Sequence, residues 1–329
     1  MERQRIGLLV AAAIAVAVIA WISAGRGVVP GVVVSTAPAT RATAQPVLQT
    51  QHSDDSTAPG ESEPAVAAAS FSDYARSYHD ADDLLGFLRQ LAPAGDAGNP
   101  DALYFMAVAS RRCTRDYEAF FGREGRERSL ENVLALNAFS RVGEQAIRDL
   151  WRQCANFRTL AEGPWRSWRG MLDKAVAAGS PGAIAMYASV LTSEYLQAQG
   201  EGAKEELRGR IESMARDALK SKRPEALFWL SGAIPMTMKA TDEDENGGSW
   251  QRDDMESMLI IAACQRGFDC SAGSEAFTWM CQYDPACQPF ESVVDLIRRR
   301  AGARFDAVQL RANELNQQLD EDRFVEIDP

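Results

Sequence analysis

One short pattern returns along this 329-residue chain and confines it to helix. It reads Asn99-Pro100-Asp101-Ala102, then Ser180-Pro181-Gly182-Ala183, then Arg223-Pro224-Glu225-Ala226. Proline at the first helical position has no N–H to leave unpaired, and its φ is already helical. Asn99 and Ser180 add a capping side chain, and Asp101 and Glu225 place a carboxylate at the positive end of the helix dipole. Ser274-Glu275-Ala276-Phe277 is a relative without the proline. The interval from Pro100 to Pro181 is close to twice that from Pro181 to Pro224, which is the arithmetic of helix-pair repeats with one degenerate copy between.

The segments between these starts also read as helix. Asp80 is placed to cap a helix carrying Leu84, Leu85, Leu88 and Leu91 on one stripe, with Pro93 and Gly95 ending it. The helix from Pro100 runs to about Cys113. Arg111, Arg112 and Arg115 at its end suit the dipole there, or form a basic patch. Ser129 caps the first of two helices before Leu160, and the second carries Ile147, Leu150, Trp151 and Cys154 on one face. Pro164 opens a helix to about Ala178, in which Trp165 and Trp168 share a face. A long helix follows from about Ala203 to Lys220, then one over Met255–Arg266. Pro289 opens another to about Arg300, and the last covers about Arg304 to Asp320 and can cap the array. The expected fold class is all-α, with stacked antiparallel helix pairs over residues 71–322 and a tail at 323–329.

At this point the chain resembles a family. Asp101-Ala102-Leu103-Tyr104 and Glu225-Ala226-Leu227-Phe228 each continue into a mixed aromatic and aliphatic helix. Helices ending in Ala175-Val176-Ala177-Ala178-Gly179 or Ala262-Ala263-Cys264-Gln265-Arg266-Gly267 precede the next start. This is similar to Sel-one-like repeats, relatives of the tetratricopeptide repeats, over about half the chain. Cys264 at a helix end with Cys270 shortly after resembles the cysteine-rich secreted members. The family's Gly-rich turn after the first helix is missing. The resemblance implies a scaffold for protein contacts.

Six cysteines occur: Cys113, Cys154, Cys264, Cys270, Cys281 and Cys287. An even count fits disulfides if the domain lies outside the cytoplasm. No C-x-x-C is present and no His joins them, so zinc fits poorly. Cys113 and Cys154 can staple neighbouring helices. The last four allow three connectivities, and closing a short loop favours the two local pairs.

Residues 6–24, Ile6 to Ala24, are an uncharged run about long enough to cross a hydrocarbon core of roughly 30 Å. Arg3 and Arg5 precede it, which keeps residues 1–5 in the cytoplasm, and Trp21 suits the far interface. The nearest cleavage-like site, Ile22-Ser23-Ala24, has a bulky Ile where a small residue is wanted, so an uncleaved anchor is expected over a signal peptide. Residues 25–70, rich in Pro, Ala, Thr and Ser, read as a disordered tether.

Composition narrows the chemistry. A net charge of −11 argues against nucleic acid as partner. The two histidines, His52 and His79, stand apart from other candidate catalytic groups, which disfavours His-based triads and metal sites. Asp242, Asp244, Asn246 and Gly247 match the start of a calcium-binding EF-hand loop, with Asp253 at its twelfth position, but Ser249 and Pro235 depart from that pattern. No nucleophile elbow, P-loop or zincin motif appears. Glu212-Ser213, Glu256-Ser257 and Glu291-Ser292 carry the dipeptide of lytic transglycosylases, without that family's downstream segments. The expectation is therefore a membrane-anchored, extracytoplasmic helical-repeat protein that binds a protein or peptide partner. It would use no cofactor, no metal and no catalytic residue. The competing reading is a cell-wall-acting hydrolase or lyase with a Glu acid.

Overall fold

The structure, a computed structural model, describes residues 70–122, 127–160, 163–237, 252–284, 286–288 and 291–323. These form fourteen α-helices and no strand. In chain order they are α1 Phe71–His79, α2 Leu84–Asp96, α3 Pro100–Arg111, α4 Tyr117–Phe121, α5 Leu130–Leu136, α6 Arg141–Gln153 and α7 Trp168–Ala177. Then come α8 Pro181–Gln197, α9 Glu201–Lys220, α10 Pro224–Thr237, α11 Arg252–Gln265, α12 Glu275–Cys281, α13 Val293–Ala301 and α14 Phe305–Asp320. A π turn, Arg112–Asp116, joins α3 to α4.

The caps explain where most helices begin. Asn99 Oδ1 accepts from Ala102 N–H at 2.9 Å, and the Ser129, Ser180 and Ser274 hydroxyls accept from the N–H three residues on. Asp80 does not cap α2. It closes α1, which Ser70 and Asp73 open with a capping box, while Asp83 caps α2. Pro93 and Gly95 do not end α2 either. Pro93 lies inside its last turns, and Gly95 packs against Met106. Pro164 starts only a 3₁₀ turn, Pro164–Arg166, and the α-helix begins at Trp168. The helix expected from Pro289 begins at Val293, capped by Ser292; Pro289 itself lies outside the described residues.

The three helices with the repeated start are the central ones. α3, α8 and α10 bury residues on nearly every side, as helices enclosed by neighbours do. Contacts run from α2 to α3, α3 to α7, α7 to α8, α8 to α9 and α10, α10 to α11, and α11 to α14. The interior holds two apolar clusters, and α8 serves both. Ala183, Met186 and Val190 join the N-terminal cluster, while Ala185, Ala188 and Leu191 join the C-terminal one. The repeated starts also come together in space. Arg223 holds both Glu225 (2.6 Å) and Asp101 (3.0 Å). A β-carbon on Gly182 would lie 2.9 Å from Glu225 Cγ and 3.0 Å from the Tyr104 ring.

One contact leaps across the chain. The C-terminal end of α12 meets the start of α6, where Ser140 N–H donates to Gln282 O (3.0 Å) and Ser140 Oγ to Cys281 O (2.6 Å). Phe139 stacks on Tyr283 beside it, with ring centres 5.3 Å apart. Arg112 reaches Glu275 at 2.8 Å from the same neighbourhood.

All six cysteines are paired as Cys113–Cys154, Cys264–Cys270 and Cys281–Cys287, with Cα separations of 5.2, 5.6 and 5.7 Å. Among the described residues no helix is long and apolar enough to cross a membrane. The run at residues 6–24, the tether up to residue 69, and tail residues 324–329 lie outside the described residues, as do Asp242, Asp244 and Asn246.

An arginine-lined cleft at the π turn

α3 does not stop at Arg111. Its backbone widens into the π turn before continuing as α4. Such one-residue bulges re-aim the side chains that follow, and they recur at functional sites. Here two buried hydroxyls support it. Thr114 Oγ1 donates back to Ser110 O at 2.8 Å, and Ser110 Oγ donates to the carbonyl of Trp165. The second bond ties the π turn to the 163–168 segment. Between these walls opens a cleft of about 630 Å³, lined by Thr114, Arg115, Glu118, Ala119, Arg166 and Trp168.

The bulge sends consecutive residues to different places. Cys113 turns inward to its disulfide with Cys154 at the end of α6. Arg112 also turns inward, donating to Gln153 Oε1 (3.2 Å) and Glu275 Oε1 (2.8 Å). Burial works against its charge, yet Glu275, Tyr78 and Asp116 outweigh that, and its pKa is raised. Arg111 stands 3.6 Å from Asp116, with its guanidinium 5.1 Å from the centre of the Trp229 ring. Burial pushes the Asp116 carboxyl up, against the pull of Arg111.

Arg115 turns outward into the cleft and is exposed. Among the described residues it has no carboxylate within ion-pair distance. Its guanidinium is held below its ordinary value, first by partial burial and then by repulsion from Arg111, with Arg169 adding to it and Asp116 opposing. Arg169 lies over Trp168, 5.5 Å from the ring centre, and pairs with Glu194 at 3.2 Å. Arg111 and Arg169 thus each have a carboxylate partner, and acidic and basic side chains alternate around the cleft beside the Trp168 indole.

Of the arginines singled out in the sequence, only Arg115 lines the cleft, and of the paired tryptophans only Trp168 does; Trp165 contributes its carbonyl. His79 is exposed at the end of α1. Glu212 lies on α9, Glu256 on α11 and Glu291 just before α13; none lines the cleft. Glu291 accepts from Gln288 N–H and pairs with Arg299, and both hold its carboxyl below the usual range. Burial raises Glu256, as does Asp253. Among the described residues no group of three His, Cys, Asp or Glu is placed to hold a metal ion. Sequence reasoning passed over Thr114, Glu118, Ala119 and Arg166. The available signal was Ser110 and Thr114, two polar residues one turn apart where a buried helix should be apolar.

Beyond the Arg111–Trp229 contact lies a second polar network. Trp229 Nε1 donates to Tyr104 Oη at 2.8 Å, and Arg223 stacks over Phe71, 4.0 Å from the ring centre. Glu225 Oε1 accepts from Arg223 Nε, while its Oε2 is buried without a hydrogen-bond partner among the described residues. Burial raises the Glu225 carboxyl, with Arg223 pulling the other way. The folded state therefore holds this proton more tightly than the unfolded chain, whose value is about 4.3. That preference stabilises the fold below the unfolded value and is lost as pH rises through the folded one. Glu225→Gln should remove this dependence, so the melting temperature of wild type should fall relative to the variant between pH 4 and 7. A difference that does not change with pH would contradict the assignment.

Comparison with protein-family models, with curated proteins and with solved structures returns no match.

Proposed function

We propose that this chain is a membrane-anchored, extracytoplasmic helical-repeat protein that acts by binding a protein or peptide partner rather than by turnover. The observation that carries the reading is the cleft itself, where an outward arginine and an indole wall are fixed by the Cys113–Cys154 disulfide and the Ser110–Trp165 bond. A rigid, pre-formed surface of this kind loses little entropy on association. Three disulfides support an oxidising compartment. The uncharged run at residues 6–24 supports delivery across a membrane and retention there, with the domain facing a periplasm-like space. Successive helices meeting their neighbours, with three like starts at one end, support stacked antiparallel pairs of the tetratricopeptide type.

The test is photo-crosslinking in native membranes from two exposed positions, Ala119 in the cleft and Leu310 on α14. A discrete protein adduct from position 119 and none from position 310 is the expected result. Recovery of the chain in a soluble fraction with six alkylatable thiols would overturn the compartment. The absence of any adduct at position 119 would overturn partner binding.

A further inference from the structure

Among the fourteen α-helices of the described residues, α1 alone has no buried residue. Three rings hold it to the domain. Phe71, Tyr74 and Tyr78, at i, i+3 and i+7, share one side of the helix. The Phe71 ring lies 6.1 Å from Tyr104 and 5.0 Å from Phe105, centre to centre. Tyr74 lies 6.3 Å from Phe105, and Tyr78 lies 5.7 Å from Phe87 and 6.0 Å from Phe105. Arg223 stacks on Phe71, and the Tyr78 hydroxyl faces Glu275. Among the described residues no ion pair joins α1 to a neighbour; Arg76 pairs with Asp73 inside the helix.

We propose that the aromatic groove of α2 and α3 seats the α1 of a second copy of this chain, so that two copies exchange their first helices and form a two-fold dimer.

The groove itself specifies the occupant. With α1 in place Phe87, Tyr104 and Phe105 are buried, and lifting α1 uncovers them. An amphipathic helix with aromatic anchors at i, i+3 and i+7 is what such a groove accepts. A second copy carries that helix with every contact already matched, which makes exchange a low-cost route to a dimer. Released α1 has little alternative, since a nine-residue helix is shorter than the roughly 12–15 residues an isolated helix needs.

The hinge permits the exchange. Residues 80–83 join α1 to α2 and are tied down lightly, by Gln153 to the Ala81 carbonyl (3.1 Å) and by Arg152 to exposed Asp82 (3.3 Å). Stretched, four residues reach about 13 Å, enough for α1 to leave its own groove while the two hinges stay side by side. The area is also sufficient. Three rings bury on the order of 400 Å² and the groove about as much, and the two-fold doubles it, matching the roughly 1,600 Å² of a standard stable interface.

Exchange has a signature that face-to-face docking lacks. The same contacts form in the closed monomer and in the dimer, so Phe71→Ser should leave the dissociation constant within about threefold while speeding subunit exchange. Hinge length should act strongly instead. Deleting Ala81 and Asp82 prevents α1 from folding back on its own chain and should tighten the dimer about tenfold or more. Inserting Gly-Ser-Gly-Ser after Ala81 eases closure within one chain and should weaken it by a similar factor.

The test uses the full-length chain in detergent micelles, with association followed by sedimentation and helix content by circular dichroism. Unlabelled and nitrogen-15-labelled chains carrying p-benzoylphenylalanine at position 74 are mixed, concentrated and irradiated. Adducts joining α1 of one isotope to the Phe105 peptide of the other are expected, and they should vanish on dilution before irradiation. A wild-type chain that stays monomeric at every concentration would overturn the proposal. So would a dimer whose adducts join peptides of one isotope only, or one that Phe71→Ser weakens and hinge length does not. Irradiation in native membranes covers the remaining occupant. An adduct from position 74 to a different protein, with none to a second copy, would assign the groove to a foreign helix and end the proposal.

Discussion

Replacing Cys113 and Cys154 together by alanine is expected to lower stability by about 4 kcal/mol, or to lower the melting temperature by about 10 °C. The disulfide closes a loop with a sequence separation of 41, so its loss frees a long stretch of the unfolded chain. Cys264–Cys270 and Cys281–Cys287 each span a separation of 6, and the same chain-entropy argument assigns about 2 kcal/mol to each. The ranking is the test, read by urea denaturation of the three double variants under oxidising conditions. If the Cys113/Cys154 variant loses no more than the Cys264/Cys270 variant, loop closure is not what this disulfide contributes. A second consequence is local. Cys113 sits in the π turn and Cys154 closes α6, so the variant should also loosen the wall that presents Arg115.

Gly143→Ala is expected to cost about 3 kcal/mol, at the upper end for overpacking by one methyl group. A β-carbon there would sit inside the carbonyl oxygen of Gln282, 2.9 Å from its carbonyl carbon and 3.0 Å from its Cα. The obstacle is backbone, so no rotamer change relieves it. α12 must move away, and with it go the two bonds from Ser140 and the Arg112–Glu275 pair. Gly209→Ala supplies the contrast. That residue lies exposed in α9, and an added β-carbon meets nothing within 4 Å. A gain of about 0.5–1 kcal/mol is expected there, from the reduced freedom of the unfolded chain. Equal effects at the two glycines would falsify the tight seam between α6 and α12.

The two experiments mark where the sequence was legible. Signals within a few residues were readable, because caps act over three positions and a local disulfide over six. Asn99, Ser129, Ser180 and Ser274 all cap the helices they precede, and the two local cysteine pairs close as loop entropy favours. Proline was over-read. Pro93 is accommodated in the last turns of α2, and Pro164 opens only a 3₁₀ turn. The cleft was half visible. Arg115 and Trp168 stood out by type, but what brings them together is the π turn and the Ser110–Trp165 bond across 55 residues. No local propensity reports a contact of that span. The seam at Ser140 and Cys281, 141 residues apart, was invisible for the same reason.

That seam bears on how the domain can fold and change. In an array where each helix pair meets only the next, units can be deleted, duplicated or melted from one end with little effect on the other. Here α6 and the π turn are latched to α12, so the two halves of the helical domain depend on each other. Ordering α12 requires the N-terminal half to be in place, and long-range closure of that kind slows folding. Removing the C-terminal helices would therefore strip support from the Arg112 neighbourhood far upstream. The proposed binding surface gains from this, because the seam between α6 and α12 holds its neighbourhood from both halves of the described helices.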